Sequence, residues 1–246
     1  MTDILLREDR DGLCTLTLNR PDRHNALNTE LFERLDAAFA TLETQADTIG
    51  CVVLQASGKS FCAGADLAAI AAGATPPPPT FKPGVIERLS RLPQIVIARV
   101  HATCVTGGLE LALGADMIVA GHAARFADTH GRWGFVGGWG MTQRLPRRVG
   151  MAQAKLMMTT GRFLNAEEAH RIGLIDILTG DDSLDAEVAA LAKDILANSW
   201  HTNRETKRIL IETEGMPLAQ GLAHEHYRYP GIAPDARERI ARFSRK

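Results

Sequence analysis

Two short glycine-containing stretches carry the residues best suited to chemistry. The first, Ser60-Phe61-Cys62-Ala63-Gly64-Ala65-Asp66-Leu67, follows a strand pattern and precedes an alanine-rich helical one. The second, Thr106-Gly107-Gly108-Leu109-Glu110, follows a strand pattern and opens a helical one. Small residues let a ligand approach the backbone, and a helix N-terminus presents unpaired N–H groups at the favourable end of its dipole. If the two turns converge, they offer a pair of N–H donors to an anionic oxygen. Taken singly, each also reads as a tight strand-to-helix turn and nothing more. Neither is a phosphate loop, because the Lys-Ser/Thr ending and the G-x-G-x-x-G spacing are both missing.

Glu110 adds a carboxylate to the second turn, on a helix otherwise made of Leu109, Leu111, Ala112 and Leu113. A carboxylate in that setting reads as an acid/base or water-positioning group; a solvated or ion-paired side chain is the alternative. His224, Glu225 and His226 do not read as a metal site, since i and i+2 on a helix point to different faces. Cys14, Cys51, Cys62 and Cys104 are far apart with no C-x-x-C pair, and read as reduced thiols of a cytoplasmic protein.

The elements that must position these groups follow from periodicity. Leu13 to Leu18 alternates as a half-buried strand, and Pro21, Asp22, Asn25 and Asn28 mark a turn-rich loop. Leu31, Leu35, Ala38 and Leu42 predict an amphipathic helix from Thr29 to about Gln45. Strands are expected at Cys51 to Leu54, Ile95 to Val100 and Met117 to Ala120, with helices at Val85 to Leu92 and Gly107 to Gly114. Met151 to Thr160 is a helix closed by Gly161. Asn165 with Glu168 makes a capping-box start for the helix that Gly173 ends. Pro76 to Pro79, inside the stretch 73–84, is a surface loop, since consecutive prolines favour an extended segment. From Ser183 onward the pattern is helical. Strands and helices mixed over the first part, with helices after it, define an α/β fold with a helical C-terminal part.

Composition narrows the function classes. The chain has 246 residues, 45% of them apolar, and a formal net charge of −1, so nothing points to a nucleic-acid or anionic-membrane partner. No run approaches the ~18 apolar residues of a membrane span. The first residues also lack the basic-then-apolar pattern of a signal peptide. Any phosphate-bearing ligand must therefore be met by local cations.

Several strings together resemble the crotonase (enoyl-CoA hydratase/isomerase) superfamily: FCAGADL at 61–67, VTGGLELAL at 105–113 and DMIVAG at 116–121. TLNRPDRHNALN at 17–28 looks like that family's first CoA-contacting loop. GMTQRLPRRVG at 140–150 and TGRFLNAEEAHRIGLID at 160–176 resemble its later elements. The resemblance implies a spiral of β-β-α units over 1–190 and a helical C-terminal trimerisation region over 191–246, with trimers often paired into hexamers. It implies an acyl-CoA substrate, CoA being part of the substrate and not a separate cofactor. The backbone N–H groups of Ala65 and Gly107 would form the oxyanion hole. Ala63, Asp66, Leu67 and Gly108 would line the thioester channel with them, and Arg23, His24 and Ala26 would approach the nucleotide end. For Arg23 there is a second reason, since CoA phosphates need a local cation. A solvated surface arginine is its alternative.

The family's hydratases use two glutamates, and the first matches Glu110. The second position falls on His130, a departure that puts ordinary hydration in doubt and simple isomerisation more so. An imidazole titrates near neutrality and serves as acid or base, so Glu110 and His130 are the expected catalytic pair; a structural histidine is the alternative. If the segment is extended, Asp128 shares a face with His130 and becomes its orienting partner. Trp139, in the run Gly137-Gly138-Trp139-Gly140, either shapes the acyl pocket or packs the core. The nucleophilic carboxylate of the family's dehalogenases would fall near Gly138, which disfavours that branch. The expected reaction is hydration of an α,β-unsaturated acyl-CoA. Thioester hydrolysis, C–C cleavage, decarboxylation or acyl-CoA binding without chemistry are the rivals.

Overall fold

The computed structural model describes residues 3–243. Strands β1 (Leu5–Arg10) and β2 (Leu13–Leu18) form an antiparallel hairpin. Cys14, Leu16 and Leu18 of β2 face the core, the period-two pattern seen in the sequence. Helix α1 (Thr29–Glu43) begins where the Asn28 side chain accepts the Leu31 N–H at 2.9 Å, and it buries Leu31, Phe32, Leu35, Phe39 and Leu42.

A unit of long strand, short strand and helix then repeats. It comprises β3 (Cys51–Ala56), β4 (Ser60–Cys62), α2 (Leu67–Ala71) and α3 (Phe81–Ser90); then β5 (Ile95–Val100), β6 (Thr103–Val105) and α4 (Gly107–Ala112); then β7 (Met117–Gly121), β8 (Arg125–Ala127), a 3-10 turn at His130–Trp133 and α5 (Met141–Val149). Helix α6 (Met151–Thr160), β9 (Leu164–Asn165), α7 (Ala166–Arg171) and β10 (Ile177–Thr179) complete the spiral. The long strands line up in a six-stranded sheet, β1-β2-β3-β5-β7-β10, and the short ones in a four-stranded sheet, β4-β6-β8-β9. Because β4, β6 and β8 pair parallel, one beside the next, the turns that follow them emerge side by side. That arrangement brings the chemistry together. The α/β class and the β-β-α spiral are as expected.

Some boundaries differ from the sequence reading. The helix expected at Val85 to Leu92 runs from Phe81 to Ser90. Pro83 lies in its first turn, where a missing N–H breaks no intrahelical bond, so the proline-rich loop ends sooner than its composition suggests. Residues 74–78 carry no regular structure, as expected.

The C-terminal part consists of α8 (Leu184–Ala197), α9 (Trp200–Thr213), α10 (Leu218–Arg228) and α11 (Ala236–Phe243). The expected division at 190/191 falls inside α8. This helix belongs with the sheet, since Leu184, Val188, Ala192 and Ile195 pack on Cys51, Val53, Ile97 and Val119. Helix α9 is tied to the core by Lys207, whose Nζ lies 2.7 Å from Asp116 and donates to the Gln94 carbonyl at 2.9 Å. On the last helices, Leu210, Leu218, Leu222 and Phe243 are exposed. Among the described residues, no helix is long and apolar enough to cross a membrane.

Candidate active site

The two glycine turns converge. Gly64 has a φ of +92°, and a Cβ built on it would stand 3.1 Å from the Gly107 nitrogen. Leu27 donates to the Gly64 carbonyl at 2.8 Å, and Asp66 donates to Leu27 at 3.2 Å. That bridge skips Ala65. Among the described residues, none accepts a hydrogen bond from the N–H of Ala65 or Gly107. Thr106 precedes Gly107 with φ +55° and ψ −119°, a conformation that costs a non-glycine residue about 1–3 kcal/mol. Its hydroxyl meets that of Thr129 at 2.6 Å, and its N–H reaches the Ala127 carbonyl at 2.9 Å. The strained residue is thus held from the next turn of the spiral.

Glu110 lies one helical turn further on and is 1% exposed. Its Oε1 accepts the N–H groups of Trp139 at 2.8 Å and Met141 at 3.1 Å. Its Oε2 is buried without a hydrogen-bond partner, and the nearest charged atom is Nε2 of His130 at 3.6 Å. On the other side of the imidazole, Nδ1 is 2.6 Å from Asp128 Oδ1. The ring also rests on Gly137, where a Cβ would meet Nδ1 and Cε1 at 3.3 Å. Burial pushes the Glu110 carboxyl above its ordinary value; the two N–H bonds and His130 offset this in part. Burial works against a charged His130, but Asp128 and Glu110 together outweigh it and hold the imidazole above its ordinary value.

The expected orienting pair Asp128–His130 therefore exists, but not on a strand face. Strand β8 ends at Ala127, and the chain turns at once into the 3-10 helix. Asp128 accepts the His130 backbone N–H at 3.0 Å as well as the ring, the local turn that aspartate favours.

The remaining expected residues fall into two groups. Arg23, His24 and Ala63 lie exposed along one rim, with Ala63 donating to the His24 carbonyl at 3.0 Å. Ala26 is buried behind them and Leu67 opens α2 half-buried. Asp66 and Gly108, by contrast, serve the fold. The Asp66 carboxylate caps α2 through Ala69 at 3.1 Å and pairs with Arg20 at 2.9 Å. Burial alone would raise it, yet these partners hold it below the usual carboxylate range. Gly108 is glycine because a Cβ would stand 2.5 Å from the Cys62 carbonyl oxygen.

Sequence reasoning missed Arg20 and the anchoring role of Asn25, which donates to the Ser57 and Ser60 carbonyls at 2.8 Å and fastens the early loop to β4. Asn25 also has φ +54°, for which its residue type was the available signal. It also missed Lys82, whose Nζ lies 5.4 Å from the Trp139 ring centre and 5.5 Å from that of Phe32. The four cysteines are buried and unpaired. Burial pushes the thiols of Cys14, Cys51 and Cys62 up to about 12, which removes them as nucleophiles. His224 pairs with Glu212 at 2.8 Å.

Comparison with known proteins bears on the fold and the family. The family model described as enoyl-CoA hydratase/isomerase matches residues 8–235. The chain is 31% identical over 255 residues to the 1,2-epoxyphenylacetyl-CoA isomerase of Escherichia coli strain K12, covering 100% of this chain and 97% of that protein. Its structure superposes on the enoyl-CoA hydratase of Bacillus anthracis with a TM-score of 0.93 at 28% identity, over 99% and 96% of the two chains. It also superposes on a Thermobifida fusca protein solved in complex with CoA, with a TM-score of 0.85 at 25% identity, over 99% and 95%.

Proposed function

The chain belongs to the enoyl-CoA hydratase/isomerase family, and we propose that it is an enzyme that adds water to an α,β-unsaturated acyl-CoA. The observation that carries this reading is the Glu110–His130 pair: a buried, unpartnered carboxylate oxygen 3.6 Å from an imidazole nitrogen. The two atoms face each other, and hydration needs two groups that exchange protons across one water. The N–H groups of Ala65 and Gly107 hold the thioester oxygen as it becomes an enolate oxygen. Arg23 and His24, on the exposed rim, meet the nucleotide end of CoA. Homotrimers, or hexamers made from them, form through the helices after α8.

Isomerisation is the second reading, favoured by the hydratase/isomerase description of the matching family and by the single free oxygen of Glu110, which suits a 1,3-proton shift. A panel of short, branched and aromatic enoyl-CoAs separates the two. Loss of conjugated-thioester absorbance marks hydration of 2-enoyl-CoA, and its gain from 3-enoyl-CoA marks isomerisation. Release of free CoA thiol would instead identify thioester cleavage. Saturable binding with no turnover across the panel would leave a binding protein, and the proposal would fail.

A further inference from the structure

We propose that Asp128 is a positioning residue that keeps His130 an imidazolium aimed at Glu110, making His130 the proton donor and Glu110 the acceptor. The inference rests on the acid/base reading above and assigns the direction in which the pair works.

Asp128 is 1% exposed, and its Oδ1 accepts both the backbone N–H and Nδ1 of His130, at 3.0 and 2.6 Å. A carboxylate oxygen only accepts, so Nδ1 carries a hydrogen and Nε2 is the atom left for chemistry. Gly137 lies beside the ring, where a Cβ would stand 3.3 Å from Nδ1 and Cε1 and crowd it. On Glu110, Oε1 is occupied by two backbone N–H groups, which leaves Oε2 as its only free atom. Each partner therefore presents a single working atom, and the two face each other at 3.6 Å.

The surrounding charges favour the imidazolium. Asp128 from the same turn and Glu110 from α4 both face the ring, and both are acidic. Arg132, on the same turn, directs its guanidinium to the Gly161 carbonyl. On α6, which packs against this turn, Lys155 is exposed to solvent. The raised value of His130 agrees with this arrangement.

The step balances without another reactant. Oε2 of Glu110 takes a proton from water as the water oxygen bonds to Cβ. The C=C electron pair moves toward the thioester, whose oxygen becomes negative between Ala65 and Gly107. The carbonyl then re-forms as Cα takes the proton from Nε2 of His130. Glu110 is left protonated and His130 neutral, and that proton passes from Oε2 to Nε2 through the next water molecule to restore the site. This order makes the charge on Asp128 matter, because without it a smaller share of the imidazole carries a proton on Nε2 at neutral pH.

The test is nuclear magnetic resonance titration of the His130 ring nitrogens in the full-length protein, with His130→Gln to assign the signal. Kinetics of Asp128→Asn accompany it. Asparagine keeps the shape and an acceptor oxygen and removes the charge. The wild-type midpoint is expected above the ordinary ~6.5 of histidine. In Asp128→Asn it should fall by about one unit or more, and kcat by about 10²–10⁴-fold, with KM little changed. The alkaline limb of the pH profile should move down with the midpoint. A wild-type midpoint at or below the ordinary value overturns the proposal even if the variant does not fold. So does an Asp128→Asn enzyme with the wild-type midpoint and kcat; if His130→Ala is then inactive, the acid/base reading survives alone. Full activity of both His130→Ala and Glu110→Gln overturns both.

Discussion

The indole ring of Trp139 rests on Gly107 so closely that a Cβ built there would stand 2.4 Å from Cζ3. The ring is also held edge-on to Phe32, with centres 5.0 Å apart, and its backbone N–H steadies Glu110. One residue thus shapes the wall beside the proposed oxyanion hole and fixes the acid/base carboxylate. The two functions separate cleanly, because any substitution except proline keeps the N–H.

Trp139→Ala is therefore expected to widen the acyl pocket without releasing Glu110. The ratio of kcat/KM for long over short acyl-CoA substrates should rise about 10–100-fold, the scale of one or two methylenes in an apolar pocket. An unchanged ratio in the folded variant would place the ring outside the acyl pocket.

At Gly107, proline deletes one proposed oxyanion donor and should cost about 10²–10³-fold in rate. It also adds a Cβ against Trp139, so the informative comparison uses the Trp139→Ala background. There Gly107→Ala should regain most of its activity, because the clash is gone and the N–H remains, whereas Gly107→Pro should not. Equal rates for the two double variants would argue against that donor.

The pH profile of kcat/KM should be bell-shaped. Glu110 acts as its anion, and burial raises its value, so activity falls as pH drops through that raised value. His130 acts as its cation and is also raised, so activity falls as pH climbs through it. The two apparent midpoints belong to the pair. Glu110→Gln should lower kcat about 10²–10⁴-fold and remove the acid limb, with CoA binding, measured by calorimetry, little changed.

Away from the site, the buried Lys207 pairs with the half-buried Asp116 at 2.7 Å. Lys207→Met leaves Asp116 without its cation and should cost about 1–3 kcal/mol, read by denaturant unfolding, since water reaches part of the carboxylate. Adding Asp116→Asn should recover much of this loss. The amide oxygen still serves the Val96 N–H, which Asp116 accepts at 2.7 Å, with no stranded charge.

Assembly is checked by sedimentation. The exposed Leu210, Leu218, Leu222 and Phe243 on α9 to α11 predict a trimer or hexamer at micromolar concentration. A stable monomer would contradict this.

What the sequence determined by itself was local. The Asn165–Glu168 capping box forms as written, with reciprocal bonds of 2.8 and 3.0 Å. Helix Met151–Thr160 and strand Leu13–Leu18 run between the expected residues, because caps and apolar periodicity lie within one or two turns of chain. Strands of two or three residues, such as β8 and β9, were not legible, since a partner and not a propensity makes them strands. Only the tertiary structure decided that Asp128 reaches His130 through a turn, and that Trp139 and Met141 spend one oxygen of Glu110. It likewise placed Asp66 on Arg20. The pairings of Glu110 with Trp139 and Met141, and of Asp66 with Arg20, join residues that only the packing of successive β-β-α turns brings within hydrogen-bond reach. Periodicity along the chain carries no record of that packing.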